Sequence, residues 1–455
     1  MKQELLNKYG IPVPRYTSYP PANFFREPFT AEKFRHVVEE SNNQDPQHIS
    51  IYIHIPFCYR MCFYCGCNSQ LLMSNDAVMK YMNALKSEIK MLLPLLGRDR
   101  KISQIHYGGG TPTSQPVSVL KELNQLILSG FDCIENPEIA IECHPGYIGE
   151  TYWNELADAG FNRISIGVQD FGTDVLKASN RKASRMEMED VFRILRVKNV
   201  SLNMDFIYGL PLQTPESFAK TINRAISLKP DRIVAFSYAH VPWVNELQKK
   251  LEITGLPSVE IKSKIYETAK KQLSEAGYKT IGLDHFVLPD DELYKSLQSK
   301  ALHRNFQGYC TRRTTGQVYA FGITGISQLA TAYSQNTKDL NTYIRQVNEG
   351  VFPVAKGYIL NEEEQITKEV ISQLMCNYTI NWADLSNKMN ISVDKIKSTV
   401  NYNETALQEF AADGVIEYTD NRISILPDAA PFVRNVAASF DKLVNTKENK
   451  YSKSI

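Results

Sequence analysis

The sequence contains no apolar run of the length that a membrane-spanning helix requires. Residues 1–10 carry mixed charges and lack the apolar stretch of a signal peptide. Net charge is also small, because 51 basic and 50 acidic residues leave a formal charge of +1, which gives no general attraction for nucleic acid or anionic lipid. These absences predict a cytoplasmic protein that has no membrane or nucleic-acid partner.

Cysteine is scarce outside one short segment, and the sequence shows no internal repeat or low-complexity block. Four of the eight cysteines, Cys58, Cys62, Cys65 and Cys67, fall within ten residues, and the other four are scattered. In a reducing cytosol such a group does not form a disulfide framework, so it predicts metal or redox chemistry. A chain of 455 residues with an apolar fraction of 43% can bury a large core.

From residue 49 onward, short apolar runs rich in β-branched residues alternate with longer helical patterns. The intervals are long enough for crossover helices, and the runs are apolar enough to be buried on both faces, which is typical of parallel βα units. The predicted strands are residues 49–55, 102–107, 138–142, 163–168, 201–207, 232–237 and, as a seventh that may extend the sheet, 278–283.

Glycines or chemically unusual side chains follow the carboxyl end of each of the first six predicted strands. They are the cysteine loop, the glycine run at 108–112, Glu142, residues 169–170, Asp205 and residues 238–240. Parallel barrels collect reactive groups from the carboxyl ends of many strands, whereas an open sheet concentrates its ligands at one switch point. The pattern therefore favours an α/β fold with a partial or complete parallel βα barrel.

The sequence also predicts the domain organisation. An N-terminal arm and helix (1–45) precede the barrel (46–350), a mostly helical domain (351–445) follows, and the tail (446–455) is expected to be disordered. In the third domain, helices are predicted at 362–380, 382–389, 393–400 and 404–413, a hairpin at 414–418 and 422–425, and a last helix from about residue 431. This arrangement is similar to a winged helix, which without a basic face favours a packing or lid domain over a nucleic-acid binder.

The spacing of Cys58, Cys62 and Cys65 is suited to one small iron–sulfur cluster after a strand. Three thiolates on four irons leave one iron open, and the amino and carboxylate groups of S-adenosylmethionine suit that position. Two alternatives remain at this point. They are a structural zinc site, which commonly pairs two distant Cys-x-x-Cys knuckles, and a closed four-cysteine cluster for electron transfer.

The glycine run, Gly108-Gly109-Gly110-Thr111-Pro112, ends the second predicted strand. Without side chains, a ligand can approach the backbone closely, although a tight turn would also explain the run. The Gly-Lys-Ser/Thr ending of a phosphate loop is absent. Beside the cysteine loop, the run predicts a contact with the methionine end of the cofactor.

With these residues in view, the chain resembles the oxygen-independent coproporphyrinogen III oxidase family of radical S-adenosylmethionine enzymes from residue 14 to about residue 443. The motifs that carry the resemblance are residues 14–20 (Pro-Arg-Tyr-Thr-Ser-Tyr-Pro), the cysteine loop, residues 108–113, 167–171 (Gly-Val-Gln-Asp-Phe), 207–211 (Ile-Tyr-Gly-Leu-Pro), 284–286 (Asp-His-Phe) and 303–309 (His-Arg-Asn-Phe-Gln-Gly-Tyr). One departure is visible at residues 143–146, Cys-His-Pro-Gly, where the family often has an acidic residue and an arginine.

The resemblance implies a [4Fe–4S] cluster on Cys58, Cys62 and Cys65, with Cys67 outside the ligand set, and two molecules of S-adenosylmethionine. The first molecule would contact Tyr52, Gly109, Glu142 and Ile326. The second would contact Tyr64, Gly110, Thr111, Gln169, Arg181, Asp205 and Ala239. Of these, Ala239 and Ile326 are assigned by the resemblance alone.

The implied reaction is the oxidative decarboxylation of two propionates of coproporphyrinogen III to vinyl groups, through a 5′-deoxyadenosyl radical, with an external electron donor and acceptor. The family precedent is a monomer. Cys67 and Arg15 are candidates for substrate-side roles, and the arginines that could bind propionate are Arg15, Arg60, Arg304, Arg312 and Arg313. Two alternatives are a haem-binding paralogue, whose branch typically lacks Cys67 and the 14–20 motif, and a non-enzymatic iron–sulfur or zinc module with a nucleic-acid-binding winged helix.

Overall fold

The structure is a computed structural model that describes residues 3–444 and Tyr451, so the tail predicted to be disordered otherwise lies outside the described residues. Its strands, numbered in chain order, are β1 (Ile49–Ile55), β2 (Phe57–Cys58), β3 (Gln70–Leu71), β4 (Ile102–Gly109), β5 (Cys133–Cys143), β6 (Arg163–Gln169), β7 (Ser201–Tyr208), β8 (Arg232–Ser237), β9 (Lys279–Ile281), β10 (His285–Val287), β11 (Leu302–Asn305), β12 (Gly308–Thr311), β13 (Gln317–Phe321), β14 (Ile326–Gln328), β15 (Ala332–Asn336), β16 (Val354–Ile359), β17 (Thr379–Asn381), β18 (Ile416–Tyr418) and β19 (Arg422–Ile425).

Helices alternate with the strands of the first half and dominate the last quarter. The α-helices are α1 (Gln3–Tyr9), α2 (Ala31–Glu40), α3 (Asn75–Leu92), α4 (Val117–Leu128), α5 (Glu150–Asp158), α6 (Thr173–Ala178), α7 (Met188–Val197), α8 (Pro215–Leu228), α9 (Lys249–Thr254), α10 (Val259–Glu275), α11 (Glu292–Gln298), α12 (Leu340–Asn348), α13 (Glu362–Asn377), α14 (Trp382–Met389), α15 (Val393–Thr399), α16 (Glu404–Ala412) and α17 (Val433–Ser439). Short 3-10 helices lie at Ala22–Phe24, Ser41–Asn43, Leu93–Leu95, Pro112–Ser114, Glu246–Gln248 and Pro427–Phe432. No helix within residues 3–444 is both long and apolar enough to cross a membrane.

One sheet of twelve strands organises the larger part of the chain, in the order β16-β15-β14-β13-β1-β4-β5-β6-β7-β8-β10-β9. The run from β13 to β8 is parallel, and antiparallel strands extend it at both edges. The edge strands β16 and β9 stand at opposite ends of the order, so the barrel is partial. The predicted α/β fold with a parallel barrel is therefore confirmed in its partial form.

The first six predicted strands are confirmed as β1 and β4 to β8. The seventh run does extend the sheet, as β9 at residues 279–281, where it pairs antiparallel with β10 at the edge. The seventh parallel strand is instead β13, which pairs with β1 and was not predicted. It is short and joins the sheet beside the first strand, and no helical crossover pattern marks it in the sequence.

The two faces of the parallel strands differ in polarity. In β1, Ile49, Ile51, Ile53 and Ile55 are fully buried in the main core, which also contains residues of α3. The alternate residue Tyr52 and its neighbour His54 line the central cavity instead. Successive side chains of a strand point to opposite faces of the sheet. The apolar face therefore packs against the helical layer, and the polar face encloses a cavity.

The C-terminal region has its own core and a three-stranded sheet in the order β17-β19-β18. The four predicted helices correspond to α13–α16, and the predicted hairpin is formed by β18 and β19. The main sheet continues to β16, which ends at Ile359, beyond the boundary expected at residue 350. The division into domains otherwise stays a prediction.

The N-terminal arm packs against this C-terminal region. The hydroxyls of Tyr16 and Tyr19 both donate to the carboxylate of Asp441, at 2.9 and 3.1 Å. The guanidinium of Arg434 donates to the carbonyls of Val13 and Pro14. These bonds fix the segment that carries Arg15 over the open side of the partial barrel.

Candidate active site

The cysteine loop begins where β1 ends at Ile55 and is closed by a short parallel pair between β2 and β3. The amide of Gln70 donates to the carbonyl of Pro56 at 2.9 Å, and that of Leu72 donates to Cys58 at 2.8 Å. The chain segments that enter and leave the loop are therefore held side by side. The intervening residues form a lobe at the carboxyl end of the first parallel strand.

Side chains from other elements hold the carbonyl groups of this lobe. Asn180 donates to Met61 at 2.9 Å, Asn245 to Cys65 at 2.8 Å, and Gln248 to Tyr64 at 3.1 Å. The ring of His54 lies 2.9 Å from the carbonyl of Asn68, and burial lowers the pKa of this histidine. Sequence reasoning missed these four residues, because nothing in their local patterns indicates a contact with the cysteine loop.

The thiols of the loop differ in their proton affinity. A hydrogen bond from Cys67 lowers the pKa of Cys65 to about 6, and the same interaction raises the pKa of Cys67 well above its usual value. Burial raises the pKa of Cys58 to about 11, so metal binding at this residue must displace a proton. The arrangement supports Cys65 as a thiolate ligand and Cys67 as a neutral thiol beside it.

The donor set fits an iron–sulfur cluster better than a single metal ion. Within the described residues, no group of three or more His, Cys, Asp or Glu side chains converges as the ligands of one ion would. Each thiolate of a [4Fe–4S] cluster binds a different iron, so its ligands surround a larger object. Cys58, Cys62 and Cys65 lie close enough for their charges to interact, and they share one loop. The zinc alternative has no such support.

The glycine run packs directly on the cysteine loop. The amide of Gly110 donates to Ile55 and that of Thr111 to Phe57, at 2.8 and 3.0 Å. A Cβ atom at Gly110 would lie 2.4 Å from the Pro56 carbonyl oxygen and 3.0 Å from the Cys58 sulfur. Close approach of the backbone to the loop therefore requires this glycine, a reason that the sequence alone did not show.

Arg181 joins the loop to the end of β6. Its guanidinium donates to the hydroxyl of Tyr64 at 2.9 Å, to the sulfur of Cys62 at 3.5 Å, and to the carbonyl of Gly167. Gln169 at the end of β6 has a φ of 70°, a left-handed conformation that is costly for a residue with a side chain. Backbone strain of this kind is concentrated at functional sites.

Two acidic residues lie toward the carboxyl ends of β5 and β7, on either side of β6, and form no ion pair with a Lys or Arg among the described residues. Glu142 accepts from the ring of His106 at 3.0 Å and keeps 43% of its side chain exposed. Asp205 accepts from the hydroxyl of Ser165 at 2.6 Å, and burial raises its pKa to about 6. Both carboxylates are available to hydroxyl or amino groups of a ligand.

A cavity of about 810 Å³ opens beside the cysteine loop, within the size range of small-molecule sites. Most of the residues predicted to contact S-adenosylmethionine line it. They are Tyr52, Tyr64, Gly109, Glu142, Gln169, Asp205, Ala239 and Ile326. Gly110, Thr111 and Arg181 stand behind this lining, where they contact the cysteine loop itself. Cys65 and Cys67 also face the cavity.

Positive charge collects on the side of the cavity formed by the arm. Arg15 lines it, and the guanidinium of Arg304 donates to the Arg15 carbonyl at 2.9 Å while its Nε has no partner among the described residues. Burial and the nearby Arg15 lower the pKa of Lys262 to about 8. Asp284 also lies here, but it is already paired with His285 at 2.6 Å. The surplus of cations suits an anionic ligand.

The five arginines predicted as propionate ligands fall into two groups according to whether they line the cavity. Arg15 and Arg304 line the cavity, and the other three do not. Arg313 is paired with Glu292 at 2.8 Å and Arg312 with Glu369 at 3.7 Å, whereas Arg60 is exposed on the outer side of the cysteine loop. Lys262 of α10, which the sequence did not single out, donates from its ammonium to the carbonyl of the cavity-lining Tyr238 at 2.8 Å.

Comparison with known proteins agrees with this geometry. Residues 52–225 match the model of the radical SAM superfamily. The chain is 38% identical to the oxygen-independent coproporphyrinogen III oxidase of Synechocystis sp., over 99% of this chain and 97% of that protein. It is 36% identical to the enzyme of the same name from Escherichia coli, over 97% of this chain and 95% of that protein.

A solved structure is also similar over nearly the whole length. It is that of coproporphyrinogen III oxidase from Escherichia coli, described as a radical SAM enzyme, with a TM-score of 0.87 and 35% identity over 94% of this chain and 97% of that one. The similarity therefore includes the arm and the C-terminal region as well as the barrel. The chain belongs to the oxygen-independent coproporphyrinogen III oxidase family of the radical S-adenosylmethionine superfamily.

Proposed function

We propose that this enzyme decarboxylates two propionate side chains of coproporphyrinogen III to vinyl groups without oxygen, giving protoporphyrinogen IX. The observation that carries the proposal is the pairing of two features in one cavity. The cysteine loop forms one wall, Arg15 and Arg304 line the side of the arm, and Lys262 lies close enough to Arg15 for their charges to interact. A tetracarboxylate substrate can therefore be held by its carboxylates while a propionate is presented to the loop.

The cofactors are a [4Fe–4S] cluster and S-adenosylmethionine, and when bound they supply a carbon-centred radical that removes one hydrogen atom from the β-carbon of a propionate. Cys58, Cys62 and Cys65 would hold the cluster. The first of two S-adenosylmethionine molecules would contact Tyr52, Gly109, Glu142 and Ile326, and the second Tyr64, Gly110, Thr111, Gln169, Arg181, Asp205 and Ala239. Cys67 would remain a free thiol at the edge of the cavity.

The protein's own residues position the substrate and limit its reactions. Arg304 and Arg15 would bind a carboxylate that does not react, and the cavity walls around Tyr52 exclude water from the reacting carbon. Each vinyl group forms as CO₂ leaves and one electron passes to an external acceptor. We further infer that the enzyme works in the cytoplasm as a monomer and receives electrons from an external donor.

The haem-binding alternative is less well supported. The chain keeps Cys67 in the cavity wall, and it keeps the 14–20 motif, from which Arg15 lines the same cavity. In the haem-binding branch both features are typically missing. Their presence at one site supports an enzyme that binds a porphyrinogen.

An anaerobic assay tests the proposal. The reconstituted enzyme is first reduced with dithionite, which is then removed; it is incubated with coproporphyrinogen III, S-adenosylmethionine and a soluble one-electron acceptor, and the products are separated by chromatography. We expect protoporphyrinogen IX together with 5′-deoxyadenosine. Haem binding without decarboxylation would instead assign the chain to the haem-binding branch.

A further inference from the structure

The proposed function requires electrons to reach the cysteine loop from outside the protein, and the inference below rests on that function. The loop has two sides. Cys65, Gly66 and Cys67 line the central cavity, whereas Tyr59 and Arg60 are exposed away from it. The outer side can therefore be approached without entering the space for the substrate.

The outer side continues into a surface that we call the loop face, formed by Tyr59, Arg60, Tyr147, Gly149 and residues 182–185, with the buried residues 144–146 and 148 beneath them. The rings of Tyr59 and Tyr147 are stacked with centroids 4.5 Å apart, and Tyr59 is 43% exposed. The amide of Arg185 donates to the carbonyl of Pro145 at 3.0 Å. A Cβ at Gly146 would lie 2.8 Å from the carbonyl oxygen of Ala183, so the segments touch. The departure at residues 143–146 is buried beneath this surface.

The loop face is positively charged and its cations are free. The ammonium of Lys182 lies 4.7 Å from the Tyr147 ring centroid, and Arg185 lines the pocket of about 470 Å³ that Tyr59 and Tyr147 also line. Arg60, Lys182 and Arg185 form no ion pair with any residue within 3–444, and all three are exposed. Glu150 is the acidic residue lining the same pocket, so a net positive charge remains.

The loop face is also close to the cluster ligands. Burial raises the pKa of Tyr147, and the charges that act on it include those of Cys62 and Cys58. Beneath it, the backbone of Phe63 donates to Ser179 at 3.0 Å, so the segment before Lys182 packs on the loop between its cysteines. An electron that arrives at Tyr59 therefore has only a short distance to cross to the cluster that these cysteines would hold.

We propose that the loop face is the docking surface for a small acidic protein that carries single electrons. In this step one electron leaves the reduced carrier and enters the cluster, which passes from the 2+ to the 1+ state; no bond forms or breaks and no atom is transferred. Complexes for electron transfer are small and transient. Its unpaired cations would steer an acidic partner, and its stacked tyrosines would form the apolar centre of the contact.

The test uses the full-length reconstituted enzyme with a reduced flavodoxin, an acidic flavin protein, as the probe. The double variant Lys182→Glu, Arg185→Glu is compared with a control of equal charge change on distant helices, Lys33→Glu, Lys395→Glu. Stopped-flow absorbance follows cluster reduction at increasing salt, and hydrogen exchange maps protection on flavodoxin binding. Iron content and the cluster EPR signal verify that each variant is loaded.

We expect the loop-face variant to be reduced by flavodoxin at least about tenfold more slowly at low salt, with a weaker dependence on salt, while the control changes less than about twofold. Binding of flavodoxin should increase the protection of residues 59–60, 147, 149 and 182–185. Turnover driven by dithionite should be equal in all three proteins. Equal reduction of the variant and the wild type by flavodoxin, or protection elsewhere, overturns the docking surface. Absence of product with dithionite in the wild type instead overturns the proposed function.

Discussion

The charged side chains at the two ends of the parallel strands differ in their partners. At the amino end, Arg163 is paired with Glu138 at 2.6 Å and Arg232 with Asp291 at 2.8 Å, all of them largely buried. At the carboxyl end, Glu142 and Asp205 contact only a histidine and a serine. Charges that satisfy each other stabilise the fold, and charges left open to a cavity serve a ligand.

The largest expected effect concerns cysteines at the two ends. Cys62→Ser removes a predicted cluster ligand at the carboxyl end, so we expect loss of iron binding and no measurable 5′-deoxyadenosine. The matched control is Cys133→Ser at the amino end of β5, which should keep its iron and its activity. Iron analysis and product chromatography check both. A Cys62→Ser enzyme with a full complement of iron would contradict the ligand assignment.

The second effect compares two glutamates of β5 that lie four residues apart. Glu138→Gln leaves the buried guanidinium of Arg163 without its closest partner, so we expect the free energy of unfolding to fall by about 3–5 kcal/mol. Glu142→Gln should cost less than about 1 kcal/mol, because its carboxylate is partly exposed and has no cationic partner of fixed charge. Urea unfolding monitored by circular dichroism measures both values. Equal losses of unfolding free energy in the two variants would contradict the difference between the two ends.

The third effect compares two arginines. Arg304→Gln should raise the KM for coproporphyrinogen III by about 10- to 100-fold, the loss expected for a charged hydrogen bond to a carboxylate. Arg313 is paired with Glu292 at the amino end of the strands. Arg313→Gln should therefore leave the KM within about twofold of wild type. Steady-state kinetics on enzyme with a verified iron content separate the two. An unchanged KM in Arg304→Gln would exclude this residue from substrate binding.

The smallest effect is a dependence of stability on pH with opposite signs at the two ends. The pKa of Asp205 is raised to about 6, so its contribution to stability is most favourable at low pH and is lost as the pH rises through 6. Asp205→Asn should therefore stabilise the cofactor-free protein at pH 8 by on the order of 1 kcal/mol and have little effect at pH 4.

Glu138 should behave in the opposite way. Burial raises its pKa, but Arg163 and Arg232 outweigh burial and hold the pKa at about 2. Its stabilising contribution is complete above about pH 5 and declines as the pH falls toward 2. Thermal unfolding of the Asp205→Asn and Glu138→Gln proteins across pH measures both slopes. If the change in stability caused by each substitution varied with pH in the same direction, the two ends would not differ in their electrostatics.

Much of the fold and the cysteine loop could be predicted because the relevant signals are local. Apolar runs locate β1 and β4–β8, and the spacing of three cysteines indicates a cluster without any knowledge of its surroundings. The ends of those strands also identified Glu142 and Asp205, since parallel strands bring their carboxyl ends to one side of the sheet.

The remainder depends on contacts between distant parts of the chain. The amides of Asn180, Asn245 and Gln248 lie in ordinary local sequence, and only the folded chain brings them to the loop carbonyls. Arg304 was likewise separated from Arg312 only by the folded chain, in which Arg304 lines the cavity while Arg312 lies outside it, 3.7 Å from Glu369 of α13. A residue that acts through a partner far along the chain leaves no local pattern.

The arm connects the first residues of the chain to its last helix. The carbonyls of Val13 and Pro14 accept from Arg434, and the carbonyl of Tyr9 accepts from Asn435 at 2.9 Å, so the segment before Arg15 is fixed by residues made about 420 positions later. During synthesis, the arm therefore has to wait until α17 leaves the ribosome before it can take its place. The cavity that Arg15 lines is therefore complete only after residues 434 and 435 have been made.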